Sequence, residues 1–171
     1  MHKRLFMGIT LAMLLIFSAC QREARQLVGD YSYKLSGDMI IVGSNGSESH
    51  HFIHRIGQMN VLRDKSSKTG FVVTMNEMNG GCYTFQAELS GDTLKLPLHT
   101  FTTTFLTSDG LDITIYDPND NPTMVYVIKA SGSGRINDNT LILRESWFGE
   151  QSGNPVVKIR AQEMTILAEK N

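Results

Sequence analysis

Cysteine is scarce: only Cys20 and Cys82 occur among 171 residues. Cys20 ends an apolar leader, so Cys82 stands by itself in the rest of the chain. An intrachain disulfide framework is excluded, and the fold must hold by burial. With no His beside it in sequence, Cys82 is expected as a small buried or half-buried apolar residue rather than a nucleophile. An excess of charge of either sign is also missing. Sixteen Lys and Arg stand against 17 Asp and Glu, which argues against binding nucleic acid or an anionic membrane surface. Long hydrophobic runs are missing too. Leu5 to Phe17 is the one apolar stretch, and it falls short of the roughly 20 residues a membrane-spanning helix needs. Proline is rare at four residues, so few strands would be blocked as edges.

What is present begins with processing. Met1-His2-Lys3-Arg4 is a basic start, Leu5–Phe17 is uncharged, and Ser18-Ala19 are small residues before Cys20. That order is a secretory signal, expected over residues 1–19. Phe17-Ser18-Ala19-Cys20 resembles the lipobox of bacterial lipoproteins, with Phe where the family usually has Leu. The resemblance implies cleavage before Cys20 and lipidation of that cysteine. Each buried methylene of an acyl chain adds about 0.8 kcal/mol of membrane affinity, so several chains (palmitate-like) make a stable anchor. Gln21 is not Asp, which by analogy with lipoprotein sorting implies the outer membrane. Loss of Lys3 and Arg4 leaves 14 basic residues against 17 acidic, a net charge of −3. Residues 20–28, which include the polar run Gln21-Arg22-Glu23-Ala24-Arg25-Gln26-Leu27, are expected as a flexible tether with room for a short helical turn. Residues 29–171 are expected as the folded domain.

Within that domain, turn signals recur every ten or so residues. They include Ser36-Gly37-Asp38, Asn45-Gly46-Ser47, Asn79-Gly80-Gly81, Ser90-Gly91-Asp92, Ser108-Asp109-Gly110, Asp117–Pro122, Ser131-Gly132-Ser133-Gly134 and Ser152-Gly153-Asn154-Pro155. Gly and Asn supply positive φ and Pro removes a ladder donor. Between the turns, apolar residues alternate: Tyr83, Phe85, Ala87, Leu89; Leu94, Leu96, Leu98; Leu111, Ile113, Ile115; Leu141, Leu143, Trp147; Val157, Ile159, Ala161; and Met164, Ile166, Ala168. Period two with one apolar face predicts antiparallel strands with one buried face. Phe71–Met75 and Met124–Ala130 are apolar at both parities and are expected to be covered on both faces. Tyr31–Leu35, Met39–Val42, Phe52–Ile56 and Met59–Leu62 are shorter strands. The pattern predicts an all-β domain, an up-and-down meander of about eight to ten strands closed into a barrel, with a β-sandwich as the alternative.

No pattern of catalytic residues emerges. Ser131-Gly132-Ser133-Gly134 lacks the strand-to-helix setting of a nucleophile elbow. Asn79-Gly80-Gly81 is not followed by a phosphate-binding Lys-Ser/Thr helix. His50, His51 and His54 form the one cluster of ligand-type residues. On a strand His50 and His54 share a face roughly 13 Å apart and His51 points away, so they cannot share one metal. No metal or other cofactor is expected. His99 is expected on the surface, and Thr102-Thr103-Thr104 on an exposed or edge strand. Glu145 falls in phase with Leu141, Leu143 and Trp147. A solvated strand end is the expectation, because an interior acid would need a partner or a wet cavity. Tyr83, Phe85, Tyr126 and Trp147, with Phe101 and Phe105, are the candidate lining of a ligand space, though alternating aromatics also serve plain core packing. Asp92-Thr93-Leu94 resembles the Asp-Ser/Thr-aliphatic O-glycosylation triplet of Bacteroidetes.

A lipobox, a tether and Gly29-Asp30-Tyr31 opening a β meander resemble the lipocalin-like (calycin-like) lipoproteins of Bacteroidetes. Ser131-Gly132-Ser133-Gly134 leading into Arg135–Leu141 resembles that group's late hairpin. The resemblance implies a lipid-anchored β-barrel of the cell envelope. The expected function is therefore a binding module, with a small hydrophobic ligand in the barrel or an envelope protein at its loops. A structural or interaction lipoprotein without a small ligand is the alternative. The expected partners are the membrane, through the anchor, and such a ligand or protein. Neither nucleic acid nor an enzymatic reaction is expected.

Overall fold

A computed structural model describes residues 24–78, 81–105 and 124–171. Within it the alternating segments join into eight strands: β1 (Gly29–Val42), β2 (Glu48–Arg63), β3 (Gly70–Glu77), β4 (Cys82–Ser90), β5 (Thr93–Phe105), β6 (Met124–Asn137), β7 (Thr140–Gln151) and β8 (Asn154–Lys170). Each pairs antiparallel with the next, and β1 pairs with β8, so the sheet closes into a barrel and the sandwich alternative falls away. Closure gives every strand a neighbour on both sides, which removes the exposed edges a flat sheet would carry.

One face of each strand packs the interior. Tyr31, Tyr33 and Leu35 of β1, Ile53, Met59 and Val61 of β2, and Phe71, Val73 and Met75 of β3 are all buried. Val72 and Thr74 turn outward and are only half-buried, and Val125 is exposed. Neither Phe71–Met75 nor Met124–Ala130 is therefore covered on both faces by the described residues. Cys82 is exposed; as an outward residue of β4 it alternates with buried Tyr83, against the expectation of burial.

Two irregularities shift the phase of the pattern. In β5, Leu96 pairs with Gly132 but His99 pairs with Ala130, so β5 carries one residue more than β6 between them. A bulge of that kind turns two successive side chains to one side. Leu98, expected inside with Leu94 and Leu96, is 72% exposed. In β8, Glu145 and Trp147 of β7 face Met164 and Ala161, so Gln162 and Glu163 stand opposite Ser146 alone. Val157–Ala161 and Met164–Ala168 are thus one strand with a bulge, each half facing inward in turn.

Two expected turns are strand. Ser36-Gly37-Asp38 lies in β1 and Ser131-Gly132-Ser133-Gly134 in β6. At Gly132 a Cβ would collide with the backbone carbonyl of Arg144 on the paired strand. Glycine there permits close approach of two backbones at a bend of the barrel rather than a chain reversal. The turns at Gly46, Gly91 and Gly153 do carry positive φ, of 80°, 64° and 80°. The expected strand Leu111–Ile115 and the turns at Ser108–Gly110 and Asp117–Pro122 lie outside the described residues.

The barrel end that carries the β2–β3, β4–β5 and β6–β7 connections is also where β1 begins and β8 ends. There Ala24–Leu27 forms a helical turn with Ala24 and Leu27 buried. The Tyr31 hydroxyl donates to the Leu27 carbonyl at 2.8 Å, and Lys170 Nζ donates to the Gln26 carbonyl at 2.8 Å. Residues 24–27 are therefore a docked plug, which corrects the expectation of a flexible tether over that part of 20–28. Cys20 lies outside the described residues.

Candidate functional site

The interior is not uniformly apolar. Arg55 follows the inward phase of Ile53 and Met59, and Glu77 follows that of Val73 and Met75. Arg55 Nη1 donates to Glu77 Oε2 at 2.7 Å and to Thr103 Oγ1 at 2.7 Å, with both charged side chains nearly enclosed. This ion pair keeps each charge compensated where water is scarce. Thr103 is buried and lies on β5, which has a neighbour on both sides, so neither the exposed nor the edge placement holds. Tyr33 lies beside this group. Gly57, its cross-strand partner, leaves room for the phenol ring, since a Cβ there would come within 2.7 Å of it. Burial, together with Glu77, raises the Tyr33 pKa well above that of an ordinary phenol, with Arg55 opposing.

A second polar group sits around Trp147. Ala130 of β6 and Ala161 of β8 flank Trp147 on either side, small side chains that leave space for the indole. Trp147 Nε1 donates to Glu145 Oε2 at 2.9 Å. Glu145 is 1% exposed, so the expected solvated strand end is wrong: the alternation continued inward and carried the acid with it. Burial raises the Glu145 pKa, while donation from Trp147 and the nearby His99 act the other way. His99, expected on the surface, is inward and only 10% exposed at its side chain, with Nε2 3.6 Å from Glu145 Oε1. The β5 bulge reverses its parity, so a plain period-two reading places it outside.

A cluster of aromatic rings lies beside these groups. Tyr83 stacks on Phe101 at 4.2 Å between centroids, and Phe85 on His99 at 4.2 Å. Phe101 meets Trp147 edge-on at 5.4 Å. These stacks also hold the wall. The β4–β5 ladder comprises Glu88–Lys95, Leu89–Leu94 and Ser90–Thr93, and beyond it the two strands are joined by ring contacts rather than by a continued ladder. Tyr83, Phe85, Tyr126 and Trp147 are all buried on the inner face. Tyr83, Phe85 and Trp147 belong to the ring cluster, and Tyr126 lies on β6 opposite Thr103.

Among the described residues, several polar atoms in this interior lack a hydrogen-bond partner: Tyr33 OH, Tyr83 OH, His99 Nε2 and Glu145 Oε1. Most buried polar groups are paired, and an orphan costs about 1–3 kcal/mol. The Tyr83 phenol pKa is raised by burial first, then by the nearby Glu145 and Glu77 carboxylates, with Arg55 opposing. Arg55, Glu77, His99 and Glu145 were not legible as site residues from spacing alone. The available signal was a charged residue in phase with an apolar face, which holds for Arg55, Glu77 and Glu145 but not for His99.

The histidines at β2 behave as the spacing predicts. His50 and His54 are exposed on the outer face, while His51 turns the other way and lies 3.0 Å from Ser49 Oγ through Nε2. Among the described residues no group of three or more His, Cys, Asp or Glu could hold a metal ion.

The fold and its lining define a lipocalin-like, eight-stranded antiparallel barrel with a polar, aromatic interior. No family model matches the chain, and no curated protein matches it. Among solved structures it is similar to the redesigned β-barrel b11L5F_LGL, at 12% identity over 88% of this chain and 96% of that one, with a TM-score of 0.40. EF1p2_mFAP2b bound to DFHBI is similar at 12% identity over 88% and 98%, with a TM-score of 0.46. The redesigned barrel mFAP1 bound to DFHBI is similar at 14% identity over 87% and 99%, with a TM-score of 0.39. The likeness is one of general barrel form.

Proposed function

We propose that this chain is a lipid-anchored binding module of the cell envelope that holds a small, partly apolar ligand inside its barrel. The observation that carries the ligand half is a set of four polar atoms of Tyr33, Tyr83, His99 and Glu145, buried among stacked rings, that lack a hydrogen-bond partner among the described residues. Polar atoms without partners in an aromatic interior fit a site whose hydrogen bonds are completed by an occupant. The reading assigns the protein no catalytic step. Trp147 is the only tryptophan and lies in the ring cluster, so its emission reports occupancy directly. Titration of the folded chain with small aryl compounds, neutral, cationic and anionic, is expected to give a saturable change in Trp147 emission with at least one of them. Silence across the panel overturns the ligand reading.

The anchor half rests on Phe17-Ser18-Ala19-Cys20 and on Gln21, which favour lipidation of Cys20 and an outer-membrane address. Globomycin, which blocks lipoprotein signal cleavage, is expected to leave an unprocessed precursor in a bacterial host. Cys20→Ser is expected to release the protein from the membrane fraction. Normal processing under globomycin would remove the anchor from the proposal.

A further inference from the structure

The two orphan atoms that face each other at the Trp147 cluster specify what kind of ligand group would fit. His99 Nδ1 lies 2.9 Å from the Pro97 carbonyl oxygen. A carbonyl only accepts, so Nδ1 carries the proton, and in the neutral ring Nε2 is left as a lone pair. Glu145 Oε2 is already used by the Trp147 indole N–H, which leaves Oε1. With His99 neutral and Glu145 ionised, Nε2 and Oε1 present two acceptors 3.6 Å apart, neither with a hydrogen-bond partner among the described residues. A donor about 2.9 Å from each closes a triangle on that base, so one N–H group can satisfy both. The surroundings favour a positive donor. Arg55 is committed to Glu77 and Thr103, and aromatic rings adjoin both acceptors, Phe85 stacked on His99 and Trp147 bonded to Glu145.

We infer that the barrel binds a small organic amine, held by its protonated nitrogen between Glu145 Oε1 and His99 Nε2 with its apolar body among the Phe101 and Trp147 rings. The inference rests on the ligand-binding reading above and names the chemical class. His99 lies in the β4–β5 wall where stacked rings take over from the ladder, so the donor site adjoins the least hydrogen-bonded part of that wall. Ammonium binding also stabilises the Glu145 carboxylate. Where that group is protonated beforehand, one proton leaves it as the amine enters.

Three probes of the same size separate the possibilities: 2-phenylethylamine, 2-phenylethanol and phenylacetate, each titrated into the folded full chain by calorimetry and by Trp147 emission. The amine is expected to bind at least about tenfold more tightly than the carboxylate, since a charge-assisted hydrogen bond contributes about 1.5–3 kcal/mol. Glu145→Gln keeps an acceptor for the indole N–H and is expected to weaken the amine by about tenfold and the alcohol by less. His99→Phe keeps the stack on Phe85 and removes Nε2, a second variant should the first fail to fold. Binding of phenylacetate as tight as that of the amine, or an amine affinity unmoved in both variants, overturns the amine class and leaves a ligand barrel standing. Failure of all three probes to bind overturns the inference together with the reading beneath it.

Discussion

At the scale of single residues, Glu145 is the decisive group. Its carboxyl is enclosed and its pKa is raised chiefly by burial. The folded state therefore holds its proton to higher pH than the unfolded chain, which releases it near the ordinary carboxyl value of 4.5. Between that value and the folded pKa, the native state binds more protons than the unfolded state. Stability then falls as pH rises through the window and levels off above it. Glu145→Gln removes the titration and retains the bond to Trp147. The variant is expected to gain on the parent as pH rises from 4.5 toward neutrality, measured as the difference in urea midpoint at each pH. A difference independent of pH would show that Glu145 carries no such shift. The same residue shows how far spacing can be read: the parity of Glu145 with Leu141, Leu143 and Trp147 was visible, but whether that face ended in solvent was not.

At the scale of elements, the strands depend on where glycine permits two backbones to meet. Gly132 faces inward on β6 against the Arg144 carbonyl. A methyl group there must displace a paired backbone rather than a flexible side chain. Gly132→Ala is expected to cost about 1–3 kcal/mol or more, as overpacking does, and to lower the Tm without altering strand content. Gly46 differs. It has a φ of +80° and open space around it, so Gly46→Ala meets no atom and bears only the left-handed backbone cost of about 1–2 kcal/mol. Thermal melts of the two variants check the contrast: Gly132→Ala should lose its cooperative near-ultraviolet transition early, while Gly46→Ala keeps a sharp one. Sequence alone read Ser131–Gly134 as a turn because Gly and Ser mark turns locally. Only the pairing of β6 with β7 reveals that the glycines serve a bend.

At the scale of the whole molecule, the helical turn Ala24–Leu27 docks on one barrel end. Leu27 and Ala24 are buried there, and the Tyr31 hydroxyl reaches two carbonyls of that turn, those of Gln26 and Leu27. Removing residues 24–27 deletes the buried Ala24 and Leu27 side chains and strips Tyr31 of its acceptors. It is expected to cost about 2–4 kcal/mol, the sum of one buried leucine and one buried hydrogen bond. Chemical denaturation of the shortened chain checks this, and an unchanged midpoint would mean the plug contributes nothing. If the domain unfolds in one step, the loss appears as a lower midpoint for every probe together. The opposite half of the barrel carries the Arg55–Glu77 pair and the ring cluster, so stability and recognition occupy different ends of one interior.

What the sequence determined by itself was the all-β class, the up-and-down order and most of the inner face. Those follow from period-two alternation and local turn chemistry, both of which act between neighbours along the chain. Closure, the number of strands, the inward turn of His99 and the convergence of Arg55 with Glu77 and of Glu145 with Trp147 were decided by tertiary structure. A bulge resets parity only relative to the strand beside it, and a polar cluster forms only once distant strands share one interior.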